Sequence, residues 1–152
     1  PGIGANRELN KLILDLVTSL AGREGSEMHI VHAWSVPGEK SIRSGRIQLH
    51  QSDRERYLTE IKMAHKEWLS DLLDQFKLNQ GSAKIHLLKG DPGDVIPQVA
   101  RKTNAELVVM GTVARTGVPG FLIGNTAEKT LAAVGCSVLA IKPHCFRTPV
   151  QI

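Results

Sequence analysis

Aromatic side chains are scarce in this 152-residue chain: two tryptophans, one tyrosine and three phenylalanines. A base-stacking platform for single-stranded nucleic acid needs several such rings beside a basic groove. The lysines and arginines instead run from Arg7 to Arg147 among acids, so a net charge of +4 implies weak attraction to polyanions and no dedicated nucleic-acid face. Cysteine is scarcer still. Cys136 and Cys145 show neither Cys-x-x-Cys nor Cys/His ligand spacing, which excludes a disulfide scaffold and a structural zinc site and leads us to expect reduced thiols in a cytoplasmic protein. No apolar run approaches the ~20 residues that a bilayer-crossing helix needs, and no basic-then-apolar leader opens the chain, so a soluble protein with no membrane contact is expected.

What is present is alternation. From Asn6 to Leu20, Leu9, Leu12, Ile13, Leu16, Val17 and Leu20 recur at three and four, the pattern of an amphipathic helix that Gly22 and Gly25 would stop. Met28 to Trp34 reads as a strand closed by Pro37-Gly38, and residues 39–51 read as a surface loop. Ser52 or Asp53 is placed to cap a second helix carrying Tyr57, Leu58, Ile61, Trp68, Leu69, Leu72, Leu73 and Phe76, which Gly81 would end. A strand from Ala83 to Lys89, a turn at Gly90-Asp91-Pro92 and a helix from Asp94 to Thr103 follow. Then come a strand from Glu106 to Met110, a glycine-rich loop, a helix from Asn125 to Val134 and a strand from Ser137 to Lys142. This order predicts an α/β fold with an open parallel sheet and helices on both faces. Such folds normally begin with a central strand, whereas Pro1-Gly2-Ile3-Gly4 leads straight into a helix. We therefore expect a fragment lacking the first strand of five, with a gap in mid-sheet that lowers stability.

The loop between Gly111 and Asn125 holds the chemistry. An apolar strand runs into Gly111, and Gly117-Val118-Pro119-Gly120 and Gly124 lead into a helix. Backbone N–H groups can converge there on an anion at the positive end of the helix dipole, with phosphate the natural guest, but a plain turn has the same composition. Arg115 is either a charge for a bound phosphate or a solvated loop residue. Asp91 and Asp94 could hold Mg²⁺, although helix capping accounts for Asp94 more simply. No Ser/His/Asp set accompanies the loop, so no enzyme activity is expected. His29 and His32 lie three apart on a strand and point to opposite faces, so hydrogen-bonded histidines are a better reading than a metal pair, with His86 on another strand. Trp34 and Trp68 read as core or interface fillers.

Three separated stretches make the chain resemble the universal stress protein superfamily over almost its whole length. Ile30-Val31-His32-Ala33 resembles the family's second strand, and Gly90-Asp91-Pro92-Gly93-Asp94-Val95-Ile96 its Gly-x-Pro turn. Leu107 to Gly111, the loop and Gly124-Asn125-Thr126 resemble its phosphate-binding signature, Gly-x2-Gly-x9-Gly-Ser/Thr. The wording of the loop and of the tail from Ile141 to Val150 is similar to the second domain of the tandem-domain E type. The resemblance implies a Rossmann-like sheet of the adenine nucleotide α-hydrolase kind, a single domain over 1–152, and a regulatory role with an ATP- or AMP-type nucleotide. It places Ala33 and Met110 at the adenine pocket and Gly111, Ala114, Gly124, Asn125 and Thr126 around the phosphates, where Arg115 could add its charge. It also implies a homodimer or tandem pairing through the last strand, at Val138, Leu139, Ala140 and Ile141. Two positions depart from the signature: Ala114 replaces its second glycine, and Asn125 its Ser/Thr hydroxyl. They leave open a second expectation, an interaction module of the same fold whose ligand loop has lapsed.

Overall fold

The computed structural model describes residues 7–39, 50–78, 81–112 and 124–142. In chain order these form α1 (Arg7–Glu24), β1 (His29–Trp34), α2 (Gln51–Asp74), β2 (Lys84–Lys89), α3 (Pro92–Lys102), β3 (Leu107–Gly111), α4 (Asn125–Ala133) and β4 (Ser137–Ile141). Helices and strands fall where the hydrophobic periodicity places them. The ends differ by a few residues, and the difference lies in how each helix stops.

Three helices end by the same device, a residue in the left-handed region followed by an N–H that reaches back five residues. After α1, Gly25 has φ 61° and Ser26 N–H donates to the Ala21 carbonyl at 3.1 Å. After α3, Asn104 has φ 51° and Ala105 N–H donates to Ala100 at 2.9 Å. After α2, Lys77 takes the role with φ 57°, and Leu78 N–H donates to Leu73 at 3.0 Å. Gly81 is therefore not the stop of α2, and Gly22 lies within α1 rather than ending it. Lys77 bears the roughly 1–2 kcal/mol cost of a side chain in this region, while Leu78, next in line, is only 3% exposed and anchors the turn in the core. At its start α2 is capped neither by Ser52 nor by Asp53. His50 holds the N-cap position without a side-chain cap bond, and Asp53 sits in the first turn, 3.1 Å from Arg56.

The strands form two parallel pairs. β1 runs beside β2 with His29 opposite Lys84 and Trp34 opposite Lys89; β3 runs beside β4 with Leu107 opposite Ser137 and Gly111 opposite Ile141. The five-stranded sheet expected from the sequence is thus observed, among the described residues, as four strands in two separate pairs. Neither pair has a third strand hydrogen-bonded to it there. Apolar strand residues that a doubly covered sheet would bury remain open to solvent as a result, among them Ile85, Leu88, Leu107 and Leu139.

The chain divides into two compact units. One is His29–Asp91, with β1, β2 and α2; the other joins Pro1–Met28 to Pro92–Ile152, with α1, α3, β3, α4 and β4. In the first, α2 packs on β1, and Leu69, Leu73 and Leu78 are buried with Trp34 and Val36. In the second, α3 packs against α4 and α1 against β3, and Leu9, Leu14, Val95, Val99, Met110 and Ala127 are buried.

Candidate functional site

The two flanks of the glycine loop are described, and both belong to the discontinuous unit. Strand β3 ends at Met110 and Gly111, and Thr112 prolongs its pairing by one residue: its N–H donates to the Ile141 carbonyl at 2.8 Å, and its hydroxyl points to the same oxygen at 3.4 Å. Thr112 is 2% exposed, so the chain leaves the sheet from a fixed, buried point. On the far side Gly124 is the N-cap of α4, with φ −77° and ψ 154°, and its carbonyl accepts the N–H of Glu128 at 3.0 Å. The N–H groups of Asn125, Thr126 and Ala127, in the first turn, therefore have no partner within the helix, the feature from which helix N-termini bind anions. Asn125 is exposed and Thr126 half-buried, and their side chains carry an amide and a hydroxyl. The exposed Glu128 carboxylate in the same turn competes for the helix dipole.

Gly111, the first glycine of the signature, has a reason for being glycine that involves no ligand. A Cβ there would lie 2.6 Å from Leu9 Cδ2 and 3.1 Å from Leu9 Cγ, and Leu9 is itself 4% exposed on α1. Its small size lets α1 approach the end of β3.

The other unit holds a cluster of rings. Alternation along β1 sends His32 and Trp34 to the face covered by α2, and His29, Val31 and Ala33 to the opposite face. His32 Nε2 lies 2.8 Å from His65 Nδ1 on α2, and the His32 ring is 5.1 Å from Trp68 between centroids. Trp34, 6% exposed, is 6.2 Å from the His65 ring, and its indole N–H has no hydrogen-bond partner among the described residues. On the opposite face His29 Nδ1 lies 2.9 Å from His86 Nε2, with the two rings stacked at 5.2 Å. Burial, and secondarily the charge of His65, lowers the pKa of His32 to about 4. His86 is lowered too, by desolvation first and then by His29 and Lys84.

Of the residues assigned from the sequence, Met110 and Gly111 stand at the carboxyl end of β3, and Gly124, Asn125 and Thr126 open α4 in the same unit. Ala33 lies in the other unit, half-buried and opposite Leu88 in the ladder. Ala114 and Arg115 lie outside the described residues, as does Cys145; Cys136 is half-buried with a free thiol. Asp94 sits in the first turn of α3, where a carboxylate meets the positive end of the dipole, and Pro92 opens that helix. Among the described residues no group of three His, Cys, Asp or Glu side chains is placed to hold a metal ion, and no helix is long and apolar enough to cross a membrane. The pairing of His32 with His65 escaped sequence reasoning. Its signal was the inward stripe Ile61, His65, Trp68, Leu72, which puts a histidine in an apolar row.

Comparison with known proteins agrees with this architecture. The sequence profile described as the universal stress protein family matches residues 5–142. Universal stress protein E of Escherichia coli K12 is 32% identical over 142 residues, covering 93% of this chain and 43% of its own length. A crystal structure of a Pseudomonas aeruginosa UCBPP-PA14 chain described as a universal stress protein superposes with a TM-score of 0.65 at 29% identity, covering 94% of this chain and 44% of that one. The chain thus spans less than half the length of these relatives. At lower identity, 17%, the fold is shared with a universal stress protein solved in complex with cAMP and with that of Archaeoglobus fulgidus in complex with dAMP, each at a TM-score of 0.50. Helices and parallel strands in this order, and a family profile covering nearly all of them, make the chain a member of the universal stress protein family.

Proposed function

We propose that the chain is a regulatory stress-response domain that holds an adenine nucleotide of ATP or AMP type at the glycine loop without turning it over. The observation that carries this reading is the pair of flanks in one unit: β3 ends at a buried Thr112, and α4 opens at Gly124 with first-turn N–H groups that have no partner within the helix. Those donors suit a phosphate. Relatives of the same fold bound to cAMP and dAMP support an adenine nucleotide as the guest. Met110, Gly111, Ala114, Arg115, Gly124, Asn125 and Thr126 are assigned to this site. Asn125 takes the place of a hydroxyl and contacts phosphate through its amide.

Titration calorimetry and thermal-shift measurements with ATP and AMP at millimolar concentration test the reading. Heat of binding and a raised melting temperature are expected, with an Asn125→Asp substitution weakening both by adding negative charge at the phosphate. Absence of heat and of any shift would overturn it. A second reading would then stand: an interaction module that pairs with a second copy or a tandem domain through Val138, Leu139, Ala140 and Ile141. In favour of that reading, β4 pairs only with β3 among the described residues, and Leu139 is 38% exposed.

A further inference from the structure

The ring cluster between β1 and α2 is not explained by nucleotide binding. His32 Nε2 and His65 Nδ1 are 2.8 Å apart, a distance that requires one nitrogen to donate and the other to accept. Two neutral imidazoles meet this requirement, and so does a pair carrying one extra proton, because the charged ring donates to the neutral one. A pair with both rings charged does not, since every ring nitrogen then bears a proton and two positive charges face each other. We propose that the His32–His65 contact is a proton-sensitive latch that fastens α2 to β1 and releases it when both imidazoles become charged.

The surroundings leave the second proton without compensation. From α2, the residues of the inward stripe next to His65 are Ile61, Trp68 and Leu69, while the charged Lys62, Lys66 and Glu67 are exposed. From β2, the ladder partner of His32 is Leu87, flanked on the same face by Ile85 and by Lys89, whose ammonium lies 2.6 Å from Glu39. Lys84, His86 and His29 occupy the opposite face of the strand pair. Trp68 covers the His32 ring, and buried Trp34 lies beside His65. Burial and the charge of His65 accordingly hold His32 down at about 4, against an ordinary value of 6.5.

The sign follows from linkage. Between pH 6.5 and about 4 the unfolded chain takes a proton at His32 that the latched state refuses, so the stabilisation is complete above pH 6.5 and is lost as pH falls toward 4. The ratio of latched to released protein drops by up to about tenfold per pH unit in that window for one proton.

Amide hydrogen exchange and ring-proton NMR on the whole chain between pH 7.5 and 3 test the latch. Acidification is expected to lower the protection of α2 amides relative to the intrinsic exchange rate at each pH, at Leu69 and Leu73, well before it does so in α3. The emission of Trp34 and Trp68, which together are all the tryptophan in the chain, should shift at the same time. His32→Gln should remove the pH dependence of α2 protection, and His86→Gln, on the opposite face, should keep it. If His32→Gln does not fold, ring titration in the unaltered chain decides: a His32 signal moving near pH 4 supports the latch. A His32 ring titrating near pH 6.5 would overturn it, as would α2 and α3 loosening in step or a His32→Gln chain with unchanged pH dependence.

Discussion

The two units solve the same packing problem, a helix laid on a pair of parallel strands, with opposite materials. Where α1 meets β3 the contact depends on smallness: Gly111 lets Leu9 descend onto the strand end, to a point where a single added carbon would lie 2.6 Å from it. Where α2 meets β1 the contact depends on large flat rings with polar edges, His32, His65, Trp34 and Trp68. An aliphatic contact of the first kind carries no charge and responds to volume alone. A contact built on imidazoles responds to protons as well. The unit that carries the flanks of the glycine loop is thus insensitive to pH at its α1–β3 contact, and the unit with the histidines is not.

Volume changes should sharpen this contrast, beginning with the largest effect. Leu73, 1% exposed on α2, is locked in the ring-rich unit, and Leu73→Ala should cost about 2–5 kcal/mol in urea denaturation through lost burial and a residual cavity. Gly111→Val should cost about 1–3 kcal/mol by overpacking against Leu9. That loss should appear with no nucleotide present; a loss seen only in ligand affinity would show that Leu9 gives way and that α1 can withdraw. The smallest effect runs the other way. Thr130 on α4 is fully buried, and its hydroxyl has no hydrogen-bond partner among the described residues. Thr130→Val keeps the shape and removes the unsatisfied group, so thermal denaturation should show a gain of about 1 kcal/mol. A loss instead would place a polar partner at that hydroxyl.

Each helix and strand was legible from local period, because three-and-four spacing in Leu9 to Leu20 and in Leu58 to Phe76 reflects one face of a helix whatever it packs on. The stops were read less well. Gly25 is a left-handed stop by its chemistry, but Lys77 is one only because Leu78 has a core to enter. Likewise Gly111 reads in sequence as a ligand-loop glycine, and its packing role depends on Leu9, about a hundred residues away. Met110 and Gly111 lie at the end of β3, and Asn125 and Thr126 open α4 after Gly124.

The sequence alone therefore determined the kind and order of the elements, the family and the position of the glycine loop, since these follow from short-range periodicity and from motifs whose residues are near neighbours. The tertiary structure decided which strands pair, why residue 111 has no side chain and that His32 meets His65, because each depends on residues far apart in the chain being brought within a few ångströms. Proximity of that kind decides whether a histidine carries charge: the same imidazole that would titrate freely in an extended chain is held neutral by burial and by the ring opposite it.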